Sequence, residues 1–170
     1  QSMLARTVAG FLSDKLDTEV KIKTFYITPD MEIHAEEVLM NDKYHRPMFT
    51  VGELKAKLSL RDLANELRIR DVYVKNVTGN IVKYENETST NIKELFYKHD
   101  KKNDDDKKND FSIKVDKLIV DNGHVIVWNQ NKDKPWKESM DYAHIDIDSI
   151  NANFTDLAYE NKIVSAVINH

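Results

Sequence analysis

The fold class of this chain is decided by residues Ile113–Trp128, IKVDKLIVDNGHVIVW. Apolar and polar residues alternate there with a period near two, which places the apolar side chains on one face of a sheet and the charged ones on the other. A turn signal, Asp121-Asn122-Gly123, interrupts the alternation. Residues Ile69–Glu85, IRDVYVKNVTGNIVKYE, have the same form, and Ile145–Asn169 follows it more loosely. The chain is therefore predicted to consist of repeated strand–turn–strand units.

These units predict a mainly β (α+β) fold with one curved, mostly antiparallel sheet. Residues 1–17 have apolar residues at helical spacing, which predicts an amphipathic helix that caps the sheet. One or two shorter helices are expected, at Leu60–Leu67 and from Ser89 or Thr90 to about Tyr97. The packing residues of the N-terminal helix would be Leu4, Val8, Phe11, Leu12 and Leu16.

Composition limits the function classes. A length of 170 residues suits a single domain, and the net charge of −4 argues against a nucleic-acid surface. The absence of cysteine excludes a disulfide framework, a thiolate zinc site and a cysteine nucleophile. The chain starts inside a helical pattern and ends in a strand pattern, so we expect a fragment of a longer protein. Residues 99–110 mix both charge signs without an apolar residue, which predicts a mobile loop.

No pattern points to catalysis, a metal or a cofactor. The six histidines form no HExxH pair, and no glycine-rich phosphate loop is present. The acidic run at 99–110 lacks the glycine and the final glutamate of an EF-hand loop, so a solvated loop is the preferred interpretation. His144, Asp146 and Asp148 share one strand face, where solvated polar residues are common. The chain is therefore expected not to be an enzyme.

The apolar strand faces remain as the candidate site. The predicted helices hold only about thirty residues, too few to cover a long sheet at about 1.5 Å per residue. An uncovered apolar trough would bind a partner protein or lipid chains. The residues predicted to line this trough are Leu54, Ala56, Leu58, Val72, Val74, Ile113, Val115, Ile145 and Ile147.

Two alternatives use other surfaces. Exposed sheet edges could pair with a β-barrel partner by strand addition, which would make the chain a protein-interaction scaffold. Trp128, Trp136 and Tyr142 could instead form a sugar-stacking surface, although packing of Trp128 in the sheet and anchoring of a loop by Trp136 is the simpler interpretation.

The chain resembles the AsmA-like/TamB family of gram-negative envelope proteins, the translocation and assembly module. The resemblance begins with residues 4–27, LARTVAGFLSDKLDTEVKIKTFYI, where Asp17 stands at a position often occupied by glycine in the family. It continues in order over most of the chain, through residues 37–42, 51–84, 111–129 and 140–157, which read EVLMND, VGELKAKLSLRDLANELRIRDVYVKNVTGNIVKY, FSIKVDKLIVDNGHVIVWN and MDYAHIDIDSINANFTDL.

The resemblance implies an N-terminal periplasmic module of a longer protein, tethered to the inner membrane by an anchor upstream of residue 1. Family members carry a long β groove with an apolar lining that is linked to phospholipid transport between membranes and to outer-membrane protein assembly. The implied partners are phospholipid acyl chains and an outer-membrane β-barrel protein, with no nucleic acid and no cofactor.

Overall fold

The structure is a computed structural model that describes residues 3–58, 66–95, 112–132, 141–160 and 163–169. Within these ranges the chain is mainly β, and the predicted fold class is confirmed. The elements are α1 (Met3–Leu16), β1 (Val20–Ile27), β2 (Glu32–Asn41), β3 (Pro47–Leu58), β4 (Glu66–Lys83), β5 (Ser112–Asn129), β6 (His144–Glu160) and β7 (Ile163–Asn169).

The seven strands form one sheet in chain order, with β1 and β7 at its edges. Neighbouring strands run antiparallel except β4 and β5, which pair in parallel over most of their length. Parallel neighbours cannot be joined by a tight turn, so the connection after β4 has to return the chain to the other end of the sheet. The sheet is therefore mostly antiparallel, as predicted, with one parallel pair.

The predicted strand–turn–strand repeat is wrong. Both turn signals lie inside continuous strands, because β4 and β5 each run through them for 18 residues. Asn76 and Asn122 have φ angles of 52° and 56°, and Ser149 within β6 has a φ of 54°. Asparagine tolerates this left-handed conformation better than most residues do. Each signal thus marks a local change in strand twist and does not reverse the chain.

Residues with positive φ lie side by side across the sheet, in a line that also includes Gly52, whose φ is not positive. Glu37 of β2, with a φ of 48°, falls opposite Gly52 of β3, because the residues on either side of them are in register. The register continues from Gly52 to Asn76 and from Asn76 to Asn122. We call this line the crease. Apolar residues three apart, such as Val74 and Val77, flank it and keep one face apolar along the whole strand.

Helix α1 packs on this apolar face near the β1 edge. Ala5 and Ala9 are buried against Val20, Ile22 and Ala35, and these five residues form the core. The predicted packing residues divide into two groups: Val8, Leu12 and Leu16 pack around that core, whereas Leu4 and Phe11 are 46% and 60% exposed. The prediction for Leu4 and Phe11 is wrong because the small alanines, and not the large side chains, form the closest contact with the sheet.

A polar cluster closes the end of the sheet at the β2–β3 turn. Asp42 is buried and accepts hydrogen bonds from the backbone N–H groups of Tyr44 (2.8 Å) and Arg46 (3.0 Å) and from the hydroxyl of buried Tyr84. Burial raises the pKa of Tyr84 to about 12, and the hydrogen bond to Asp42 adds to the rise. This cluster fixes the chain where it leaves β4.

A helical turn at residues 91–95 follows that cluster. Thr90 caps it as predicted, since its Oγ1 accepts a hydrogen bond from the N–H of Lys93 at 3.3 Å. The buried Asn91 amide bonds the backbone of Asn80 and Val82 in β4 and so docks the turn on the sheet. The predicted 99–110 loop lies outside the described residues, as does the 60–67 helix apart from residues 66 and 67, which begin β4.

Candidate binding surface

The strand register joins apolar residues into rows that cross the sheet. Residues opposite each other in neighbouring strands point to the same face. One row begins under α1 at Phe25 and Ala35 and crosses to β6, and a second row lies beside it. The first row is Phe25, Ala35, Leu54, Val74, Val120 and Ala152; the second is Ile27, Ile33, Ala56, Val72, Leu118 and Phe154.

The apolar rows continue on the other side of the crease. There, the residue on the apolar face of each strand is three positions away from the last one on the near side, as Val77 is from Val74. One row is Ile22, Val38, Val51, Val77, Gly123 and Ile150, and the next is Val20, Met40, Phe49, Gly79, Val125 and Ile147. The apolar face therefore extends over six strands and across the crease without interruption by a charged residue in these rows.

The helix covers one side of this face and leaves the other side open. The core side chains belong to α1, β1 and β2, and Leu54 of β3 packs at their border. Of the described residues in β4, β5 and β6, no large apolar side chain is buried, and Ile147 is 51% exposed. We call the apolar side of β4–β6 the open face. From Val115 to Val127 it measures roughly 40 Å at about 3.3 Å per residue.

The predicted groove residues fall on this surface as follows. Leu54 lies opposite Val74, and Ala56 lies opposite Val72, so these four form adjacent parts of two rows. Ala56 is buried, whereas Val72 and Val74 are half-buried on the open face. The positions predicted farther out are placed on β5 and β6: Val115 beside Ile69, Ile145 beside Val127 and Ile147 beside Val125. Leu58 and Ile113 have described backbones within β3 and β5, and their side chains lie outside the described set.

The groove residues predicted from the sequence are an incomplete set. Val77, Val125 and Ile150 beyond the crease, and Leu118 and Val120 on its near side, belong to the same rows and were not predicted. The signal that identifies them is the three-residue apolar spacing around Asn76, Asn122 and Ser149, which a predicted turn concealed.

The opposite side of the sheet, the charged face, is internally paired. Lys55 lies 2.6 Å from Glu53, and Lys75 lies 3.3 Å from Asp121. The Tyr73 hydroxyl donates to Asp121 at 2.7 Å, and this bond, together with Lys75, lowers the pKa of the Asp121 carboxyl. This face thus combines ion pairs with apolar residues such as Ile119, whereas the apolar rows carry no charge.

The predicted sugar-stacking residues are only partly brought together. Trp128 lies in β5 with its ring centroid 4.3 Å from that of His144, tilted by 60°. Tyr142 is 75% exposed in the turn before β6. The His144 Nδ1 lies 2.5 Å from Asp141 and its Nε2 lies 3.0 Å from the carbonyl of Asn129. Trp128 therefore packs on a bonded histidine, and Trp136 lies outside the described residues.

A polar cleft of about 500 Å³ lies at the C-terminal end of α1, away from the open face. Asp14, Asp17, Glu19, Lys43 and His45 are among its lining residues. Hydrogen bonds from Lys21 and Asn41 lower the pKa of Glu19 to about 2. Among the described residues, no group of three or more histidine, aspartate and glutamate side chains could hold a metal ion.

Comparison with protein-family models and with curated proteins found no match for this chain. Across the described part of the chain, no helix combines the length and apolar character needed to cross a membrane.

Proposed function

We propose that this chain is a non-enzymatic module that binds phospholipid acyl chains on its open face. In this proposal it is the N-terminal periplasmic part of a longer AsmA/TamB-like protein and contributes an apolar β surface to phospholipid transport between membranes or to outer-membrane protein assembly. The envelope location and the tether to the inner membrane rest on the sequence resemblance. The lipid-binding role rests on the open face.

One observation carries the proposal. Helix α1 covers the apolar sheet face at β1 and β2, and among the described residues no large apolar side chain of β4–β6 is buried. Soluble proteins rarely leave a contiguous apolar area of this kind without a binding partner. Its length of roughly 40 Å exceeds the ~15 Å depth of hydrocarbon in one bilayer leaflet. An extended acyl chain therefore fits along the strands.

The chemistry of the face suits hydrocarbon. The backbone N–H and C=O groups of β4 and β5 are bonded to neighbouring strands, so the face presents side chains alone. In the rows described above these side chains are aliphatic or aromatic, with glycine at two positions. Binding would come from burial of methylene groups, at about 0.8 kcal/mol each, without directional bonds.

A second candidate is a protein-interaction scaffold that pairs with a β-barrel partner by strand addition. The edge positions of β1 and β7 favour it, since each of them has one neighbouring strand in the sheet. It differs from the first candidate in the surface used, because strand addition uses the sheet edge and acyl-chain binding uses the face.

The test compares Val120→Glu with Ile119→Glu. Both residues are half-buried in the middle of β5 and adjacent in the chain, but Val120 lies on the open face and Ile119 on the charged face. Val120→Glu should reduce binding of a phospholipid with a radiolabelled acyl chain at least about tenfold, because the acyl chain would have to desolvate a carboxylate. Ile119→Glu should bind normally.

Equal binding by the two variants would contradict use of the open face. Absence of phospholipid in native mass spectra of the purified protein, together with no binding of the radiolabelled lipid, would favour the scaffold. Proline substitutions at a sheet edge would then identify strand addition if they abolished binding to a β-barrel partner.

A further inference from the structure

Strand β4 runs past the end of its ladder with β3. The pairing of β3 with β4 stops at Gly79, whereas β4 continues to Lys83 and stays paired with β5 over that whole stretch. Successive residues of a strand turn their backbone N–H and C=O groups to opposite sides, so every second residue here faces away from β5. We call this side of Asn80–Lys83 the β4 margin. It is a strand edge in the interior of the sheet order.

The side chain of Asn91 fills the β4 margin. Its Oδ1 accepts a hydrogen bond from the N–H of Val82 at 3.0 Å, and its Nδ2 donates to the carbonyl of Asn80 at 2.9 Å. A residue of a parallel neighbouring strand would make the same two bonds with its own C=O and N–H, since a side-chain amide carries the same acceptor and donor as a peptide group. Asn91 is only 4% exposed. One side chain therefore replaces one residue of a missing strand.

The segment that carries Asn91 is tied down at a second point. Lys43 in the β2–β3 turn lies 2.5 Å from Glu87 and 2.9 Å from Glu94, which flank Asn91 in the chain. Hydrogen bonds to Glu87 and Glu94 raise the pKa of Lys43 above its ordinary value, so these contacts persist through the neutral pH range. The amide is thus held on the margin by more than its own two bonds.

The outer edge of β1 is closed in a similar way at its first residue. The Glu19 carbonyl accepts a hydrogen bond from the N–H of Asn41 in β2 at 2.9 Å. The N–H of Val20 belongs to the same trans peptide unit and therefore points the other way, out of the sheet. The hydroxyl oxygen of Ser13 in α1 accepts from that N–H at 2.9 Å, and the hydroxyl donates to the Ala9 carbonyl at 2.8 Å. Polar side chains thus end the free edge at two places in this sheet.

We infer that Asn91 guards the β4 margin against pairing with a second copy of this chain. Exposed strand edges pair with other chains because their N–H and C=O groups form a ready template. Two copies of an edge can pair antiparallel with each other about a two-fold axis. Here the carbonyl of Asn80 and the N–H of Val82 are already bonded, so a second strand would have to displace the amide. The inference is independent of lipid binding, and it directs strand addition, the second candidate function, away from β4.

The experiment compares Asn91→Ala with Asn80→Ala. The first variant removes both bonds to the margin, whereas the second removes one side-chain bond of the same strand, to the Pro47 carbonyl at 3.0 Å, and leaves the Asn91 amide in place. Hydrogen exchange of the Val82 N–H, followed by NMR, should become at least about tenfold faster in Asn91→Ala alone. Light scattering should show that only Asn91→Ala associates at a protein concentration at least about tenfold below that of the unmodified protein.

A second substitution, Val82→Pro in the Asn91→Ala background, tests where the copies meet. Proline has no N–H and is tolerated on the free side of a strand, so it removes the donor that a second strand would use. The Val82 N–H faces away from β5, so the ladder between β4 and β5 loses no bond. We expect the double variant to associate no more than the unmodified protein does.

Three outcomes would overturn the guard. Association that persists in the double variant would place the contact on another surface. Faster exchange of the Val82 N–H without a change in association would make the amide a structural contact only. Unchanged exchange would show that the amide does not hold the margin. If circular dichroism shows that Asn91→Ala is unfolded, Asn91→Leu takes its place, because leucine has a similar size and makes neither bond, and the same outcomes apply.

Discussion

Asn122 shows how single residues let an 18-residue strand stay in one sheet. Its φ of 56° strains a β-branched residue, while glycine adopts it freely. Its side chain donates to the Asn76 Oδ1 at 2.7 Å, and its backbone N–H donates to the Asn151 Oδ1 at 3.1 Å. The crease is therefore supported by backbone conformation and by an amide ladder across three strands.

Replacing Asn122 separates these two contributions. Asn122→Gly and Asn122→Val both lose the side-chain bond to Asn76, so their difference reports the backbone conformation. We expect the valine variant to be less stable than the glycine variant by about 1–2 kcal/mol in urea unfolding. At Lys117, which lies in the same strand without a positive φ, valine should be the more stable of the same two substitutions. An Asn122→Val variant at least as stable as Asn122→Gly would show that this position of the crease is not strained.

Tyr84 gives the polar end cluster a dependence on alkaline pH. Its pKa of about 12 in the folded protein lies above the ordinary value of 10.0, so the folded state holds the phenol proton more tightly than the unfolded state does. The stability that it contributes is complete below pH 10 and is lost as the pH rises through 12.

Tyr84→Phe should lower the free energy of unfolding at neutral pH by about 1–3 kcal/mol, because buried Asp42 loses a donor. The difference from the unmodified protein should shrink by about 1 kcal/mol or more between pH 10 and pH 12. Urea unfolding at a series of pH values measures both effects. Tyr26→Phe, on an exposed tyrosine, should change stability by less than about 0.5 kcal/mol. A constant difference across this range would contradict the role of the Tyr84 proton.

At the scale of elements, the sequence predicted strand type and face but not strand length. Alternation identified β4 and β5 as strands, but the groove residues named from it left out Val77, Leu118, Val120 and Val125. The Asn-Gly pair at Asn122-Gly123 is a strong hairpin signal, and it concealed the continuity of β5. The parallel pairing of β4 with β5 depends on contacts far apart in the sequence, which local patterns do not contain.

The two glycines Gly10 and Gly52 give opposite predictions for α1 and β3. A Cβ added at Gly10 meets nothing within 4 Å, so Gly10→Ala should stabilise the protein by about 0.5–1 kcal/mol through helix propensity. A Cβ at Gly52 would lie 3.0 Å from the Asn76 Cβ and 3.2 Å from the Lys75 carbonyl oxygen. Gly52→Ala should therefore destabilise the crease. Thermal unfolding of the two variants checks both signs, and stabilisation by Gly52→Ala would contradict the close approach of β3 and β4.

At the scale of the whole molecule, the sequence predicted an apolar strand surface larger than its helices could cover, but not which part of that surface would be covered. The imbalance between apolar strand surface and helical cover can be estimated from residue counts. The side of the sheet that α1 covers cannot be estimated in this way, because it depends on which helix residues approach the sheet. Ala5 and Ala9 approach the sheet, and Leu4 and Phe11 remain exposed.

The apolar surface as a whole predicts how Kd for lipid should depend on acyl-chain length and on salt concentration. If methylene burial drives binding, each added CH₂ in a series of zwitterionic single-chain phospholipids should tighten Kd by up to about fourfold, which corresponds to about 0.8 kcal/mol. Because the apolar rows contain no charged residue, raising the salt concentration from low to physiological levels should change Kd by less than about twofold. Isothermal titration below the micelle concentration measures both quantities, with Ile119→Glu as a variant that should retain both behaviours. An affinity that ignores chain length and weakens steeply with salt would place binding on the charged face, because exposed charges are screened whereas methylene burial is not.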